Sequence, residues 1–210
     1  MQHRVAAILT IVVVVSDFSF DCAVVDATVN ADDWPLGTNW TGQFKDDAIA
    51  VQGYTHGCKV RGGSVRLPEV QQHSGAACVK ISGSSDVIVS DVFCEGHSNT
   101  VTIDYSQYTD HPHSTVIIAN VIGLDPVSNG LNIWGSGYPG EPWEPTYTKI
   151  TIDNPIFTQT NTSRSTGVAG AYLCYTDQVV LSNAHITGDT QNTRCLLRQS
   201  NKRQRFASHP

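Results

Sequence analysis

The sequence predicts an all-β chain folded as a right-handed parallel β-helix, a solenoid of about five to six coils. Three observations lead there. One short pattern recurs six times at near-regular spacing, and a second, alternating pattern precedes five of the six. Helical periodicity and helix-capping signals are absent throughout.

The first pattern reads apolar, any, apolar, any, then Asn, Asp or Gly, with an apolar residue three positions on. Its copies are VVVSDFSF (13–20), CKVRGGSV (58–65), VIVSDVFC (87–94), VIIANVIG (116–123), ITIDNPIF (150–157) and VVLSNAHI (179–186). The fifth positions are Asp17, Gly62, Asp91, Asn120, Asn154 and Asn183, separated by 45, 29, 29, 34 and 29 residues. These are the residue types that tolerate a left-handed backbone, which a sharp bend between two short strands requires. The second pattern reads AIAVQG (48–53), CVKISG (78–83), VTIDYS (101–106), LNIWGS (131–136) and YLCYTD (172–177). Each is a short strand with one apolar face. A unit of three such strands cannot bury its apolar face alone, whereas stacked copies share a continuous core. A β-sandwich would need hairpin turns between most strands, and only Asn129-Gly130 offers one.

The organisation read from these patterns is an apolar segment at 1–12, a parallel β-helix over 13–187 and a polar, basic tail at 188–210, expected to be disordered or truncated. The run from Val5 to Val15 after Arg4 also reads as a secretion signal. Val13, Val15, Asp17 and Phe20 fall on the positions of Val87, Val89, Asp91 and Cys94, so a strand pair of the first coil is the preferred reading. The 45-residue gap then equals one coil plus an insertion around Trp34 and Trp40. After Ile186 no further strand pair or cap is evident, which makes a fragment of a longer protein one expectation.

Composition narrows the function. With 40% hydrophobic residues the 210-residue chain can build a core, while only 15% of residues are charged. The net charge of -6 argues against a nucleic-acid partner. The longest apolar run is too short to span a bilayer. Six cysteines show no zinc spacing, and the sequons at Asn39 and Asn161 are usable only on a secreted chain, so an extracellular protein is expected. No cofactor and no metal site is expected; His111-Pro112-His113 alone has a metal-compatible spacing.

The alternating strand, the V-x-I-x-N strand and the stacked Asn position resemble the pectin-lyase-like superfamily: pectate lyases, polygalacturonases and related polysaccharide-active proteins. The resemblance covers about Val13 to Ile186. It implies a substrate groove over the first strand of each coil. Asp46-Asp47, in FKDDAIAV, is similar to the paired aspartates that precede a strand in polygalacturonases. The accompanying Gly-His-Gly, Asn-Thr-Asp and Arg-Ile-Lys motifs are not present, and Asn132-Ile133-Trp134 stands in place of the last.

Alternation sets the outward residues of the groove strands. One ladder is expected to run Ala50, Lys80, Thr102, Asn132 and Cys174, and the other Gln52, Ser82, Asp104, Trp134 and Thr176. Lys80 and Asp104 are then diagonal neighbours, either a surface ion pair or groups in sugar contact and proton transfer. The catalytic candidates are Asp46, Asp47, Lys80 and Asp104, because paired carboxylates suit glycoside cleavage. Counting residues and coils puts Asp47 about 19 Å from Asp104, too far for a catalytic pair. Two enlarged turns, 104–113 and 134–147, supply aromatic faces suited to sugar rings. The substrate-binding candidates from them are Tyr105, Tyr108, His111, Trp134, Tyr138 and Trp143. The expected function is processing of an acidic polysaccharide by hydrolysis or elimination. The alternative is a non-catalytic glycan-binding or structural β-helix.

Overall fold

The computed structural model describes residues 13–15, 19–30, 47–53, 55–66, 77–104, 114–126, 128–134, 147–160, 169–174, 178–188 and 194–198. These residues form an all-β structure of three parallel sheets, with no helix among them. No helix of the described residues is therefore long and apolar enough to cross a membrane.

The chain visits the three sheets in rotation, one strand of each per repeat. The first sheet stacks β1 (Val13–Val15), β4 (Ile49–Gln52), β7 (Ala77–Ser82), β10 (Asn99–Asp104), β13 (Asn129–Trp134), β16 (Ala169–Cys174) and β19 (Arg194–Arg198) in sequence order. The second stacks β2 (Ala23–Val25), β5 (Lys59–Arg61), β8 (Val87–Ser90), β11 (Ser114–Ala119), β14 (Tyr147–Asp153) and β17 (Gln178–Ser182). The third stacks β3 (Thr28–Asn30), β6 (Ser64–Arg66), β9 (Phe93–Glu95), β12 (Ile122–Leu124), β15 (Ile156–Thr158) and β18 (His185–Thr187). Asn129-Gly130, the one hairpin-like dipeptide, lies inside β13.

The bends between the second and third sheets carry the Asn/Asp/Gly ladder. Gly62, Asp91, Asn120, Asn154 and Asn183 have φ between 51° and 68°, the left-handed region. Side-chain amides then link one level to the next. Asn120 Nδ2 donates to Asp91 Oδ1 and Asn154 Nδ2 donates to Asn120 Oδ1, each at 3.0 Å. Asn183 Nδ2 donates to Asp153 Oδ1 at 3.0 Å. The Asn120 amide holds the Asp91 carboxyl below the usual carboxylate range, and the Ser182 hydroxyl, which donates to Asp153 Oδ1 at 2.7 Å, does the same for Asp153 with the Asn183 amide.

Two sequence expectations are corrected at the ends. The bend that aligns with Gly62 in the first repeat is Asp26, with φ 51°, whereas Asp17 lies outside the described residues. The matching pattern is CAVVDATV, Cys22 to Val29, whose strands pair with β5 and β6. Val13–Val15 instead pairs with Ile49–Val51 and belongs to the first sheet. The apolar run VVVV fits either strand type, so position in the stack decides its role. The pattern also does not stop after Ile186: β19 adds a strand to the first sheet by pairing with β16.

The core follows the alternation. Ile49, Val51, Val79, Ile81, Val101, Ile103, Leu131 and Ile133 of the first sheet are all fully buried, facing Val60, Val89, Val116, Ile118, Ile150 and Ile152 of the second. Between the first and third sheets, large and small groups complement each other. A Cβ on Gly123 would lie 2.1 Å from Thr100 Oγ1, and one on Gly130 would lie 2.4 Å from the Phe157 ring. A Cβ on Gly170 would meet Ile186 at 2.5 Å. In the third repeat a disulfide, Cys78–Cys94, fills the same place, and Cys22–Cys58 joins the first two repeats. His97 is buried between β9 and β10 with no hydrogen-bond partner on either ring nitrogen among the described residues. Burial pushes its imidazole down to about 3.

Candidate functional site

Three residues from three consecutive strands of the first sheet meet on its outer face. Asp47 precedes β4, where the chain bends at Ala48. Its Oδ1 accepts the Ala77 N–H at 2.8 Å, and Ala48 N–H donates to the Ala77 carbonyl at 3.0 Å. The carboxylate is thereby fastened to the start of the next strand, β7. Lys80 projects from the middle of β7, at the level of Ala50 and Thr102. Asp104 ends β10, at the level of Ser82.

The Lys80 ammonium lies 3.4 Å from Asp47 Oδ2 and 3.2 Å from Asp104 Oδ2. The expected diagonal contact between Lys80 and Asp104 is therefore present. The separation expected between Asp47 and Asp104 is not. Their near oxygens can be no farther apart than the sum of the two contacts to Lys80. That is below the upper end of the roughly 5–9.5 Å range occupied by paired glycosidase carboxylates. The expectation treated the chain as a straight strand and ignored side-chain reach. The bend at Ala48 and the turn of Asp47 toward Ala77 close the gap.

The three groups are shielded unequally. Asp47 keeps 12% of its side-chain exposure, against 29% for Lys80 and 33% for Asp104. Burial raises the Asp47 carboxyl above its ordinary range, outweighing the Ala77 N–H and the Lys80 charge that pull it down. Burial also works against the Lys80 ammonium, but the charges of Asp104 and Asp47 outweigh it and the net shift is upward. Lys80 thus stays cationic at neutral pH and does not serve as a base there. Asp47 is the group best suited to hold a proton. Asp104 Oδ1 and Thr102 Oγ1, both shielded from solvent, have no hydrogen-bond partner among the described residues.

The outward ladders follow the expected alternation with one slip. Ala50, Lys80, Thr102 and Asn132 stand level, but the next member is Tyr172. Cys174 stands level with Trp134 instead. The slip is two residues, which preserves the face and moves the level. Asp46, Tyr105, Tyr108, His111, Tyr138, Trp143 and Thr176 lie outside the described residues, as does the Trp134 side chain. Thr102 was in the ladder but was not singled out by sequence. Its signal was its place beside Lys80 and two residues before Asp104 on one face.

No protein-family model, curated protein or solved structure matches the chain.

Proposed function

We propose that the three sheets are the faces of a right-handed parallel β-helix of the pectin-lyase-like kind, and that the protein is an extracellular one that cleaves a polysaccharide by hydrolysis. The observation that carries the reading is the convergence of Asp47 and Asp104 on one ammonium at 3.4 and 3.2 Å, on the outer face of the first sheet. Two carboxylates in different environments are the minimal equipment for glycoside hydrolysis. In this reading the protonated Asp47 gives its proton to the leaving glycosidic oxygen. Asp104 acts at the anomeric carbon, directly or by taking a proton from water. Lys80 positions both carboxylates. Elimination with Lys80 as the base is disfavoured, since its two partners hold it protonated. The two disulfides support an oxidising compartment.

Release of reducing ends from a panel of soluble polysaccharides tests the reading. Wild type is expected to cleave at least one, and Asp47→Asn and Asp104→Asn each to abolish release. Release that survives both substitutions rules the pair out. One observation favours a second reading, a non-catalytic glycan-binding protein. Lys80 already satisfies an oxygen of each carboxylate, so the cluster is stable without a substrate. Saturable glycan binding by wild type without any release of reducing ends selects it.

A further inference from the structure

We infer that the site around Lys80 takes an uncharged, hydroxyl-rich sugar chain rather than a polyuronate; the inference rests on the polysaccharide reading above. Lys80 has its ammonium between two carboxylates, Asp47 at 3.4 Å and Asp104 at 3.2 Å. With both ionised the cluster carries one net negative charge, and with Asp47 protonated it carries none. In neither state is positive charge left over for a substrate carboxylate. An arriving uronate must displace Asp47 or Asp104 from the ammonium, or stand beside them unpaired. The chain's overall charge of -6 adds repulsion at longer range.

The atoms left without partners call for a different group. Among the described residues Asp104 Oδ1 is an acceptor with no donor, and Thr102 Oγ1 has neither donor nor acceptor. Thr102 is paired in register with Lys80 and stands two residues before Asp104 on β10, so the two atoms belong to one face. It is 8% exposed. A shielded polar atom without a partner is costly, and a ligand that supplies the missing bond recovers that cost. A sugar hydroxyl brings a donor for Asp104 Oδ1 and both functions for Thr102. A carboxylate brings acceptors alone, which Asp104 repels. Neighbouring hydroxyls of a neutral hexose or pentose match this donor demand.

The test measures binding instead of cleavage. Glucan, mannan, xylan and galacturonan oligosaccharides are titrated calorimetrically into the full chain at neutral pH and low salt. At least one neutral oligosaccharide is expected to bind, with galacturonan oligomers at least about tenfold weaker. Thr102→Val and Asp104→Asn are each expected to weaken the neutral ligand by about tenfold, the worth of one lost hydrogen bond. Thr102→Ser, which keeps the hydroxyl, should restore it and controls for folding. Tighter binding of galacturonan than of every neutral oligosaccharide overturns the inference. So does neutral binding that is indifferent to Thr102→Val and Asp104→Asn. Binding without release of reducing ends sinks the hydrolase reading and leaves this one standing, whereas no binding by any sugar sinks both.

Discussion

Acid titration of stability probes the buried imidazole of His97. In the folded protein burial holds this group down to about 3, against 6.5 for an ordinary histidine. Between those two values the unfolded chain takes up a proton that the folded chain refuses. Stability is therefore full above 6.5 and falls as the pH drops, by about 1.4 kcal/mol per unit. Going from neutrality to pH 4, His97 alone removes about 3 kcal/mol, a large share of the stability of an ordinary domain. Urea unfolding at several pH values, on wild type and on His97→Phe, reads the effect as a difference of slopes. The variant is expected to lose less stability on acidification by that amount. Asp47 runs the other way, because its raised carboxyl favours the folded state as the pH falls toward the ordinary aspartate value. That contribution is common to both proteins and cancels in the difference. Parallel stability curves for the two proteins would refute the reasoning, since they would mean that His97 is solvated or paired.

Four further outcomes are expected. Gly130→Ala sets a methyl 2.4 Å from the Phe157 ring and 2.6 Å from the Gly170 carbonyl, and should lower unfolding free energy by about 1–3 kcal/mol in urea melts. Replacing Cys78 and Cys94 together by Ser should cost about 3 kcal/mol for a link across 16 residues, and non-reducing peptide mapping should recover both Cys78–Cys94 and Cys22–Cys58. Asn120→Val loses two amide links and puts a β-branched residue at φ 52°, so its thermal midpoint should fall well below that of Asn120→Gly, which loses only the links. Lys80→Met leaves two carboxylates without their shared cation. After allowance for partial exposure it should cost about 1–2 kcal/mol at neutral pH, and less in acid where protonation relieves the repulsion.

The sequence made the repeats legible because the bend imposes a strict demand on a single position. Gly62, Asp91, Asn120, Asn154 and Asn183 are spaced by that demand, and the inward Ile and Val residues by the two-residue period of a strand. The first repeat was misread because VVVSDFSF and CAVVDATV both satisfy the same loose pattern. Only pairing with β5 and β6 separates them, and pairing is a long-range property. At the site, alternation put Lys80, Thr102 and Asp104 on one face. Asp47 was mislocated because a residue count along a strand has no knowledge of the bend at Ala48 or of the N–H of Ala77 waiting across the gap. The slip at Cys174 has a similar origin: AGAYLC and YLCYTD both alternate, and the strand uses the former.

The size complementarity between the first and third sheets bears on how the stack avoids assembling out of order. Parallel strands of similar composition can pair with the wrong neighbour at little energetic penalty, and sliding the whole column by one level would keep most backbone hydrogen bonds. The third to sixth levels each carry a lock: a covalent bridge from Cys78 to Cys94, then Thr100 against Gly123, then Gly130 against Phe157, then Gly170 against Ile186. Shifting Phe157 one level down would drive its ring toward Thr100, and shifting Gly123 up would leave a void where the ring belongs. The interior thus works as an address code, in which each level recognises its own partner and mismatched levels repel.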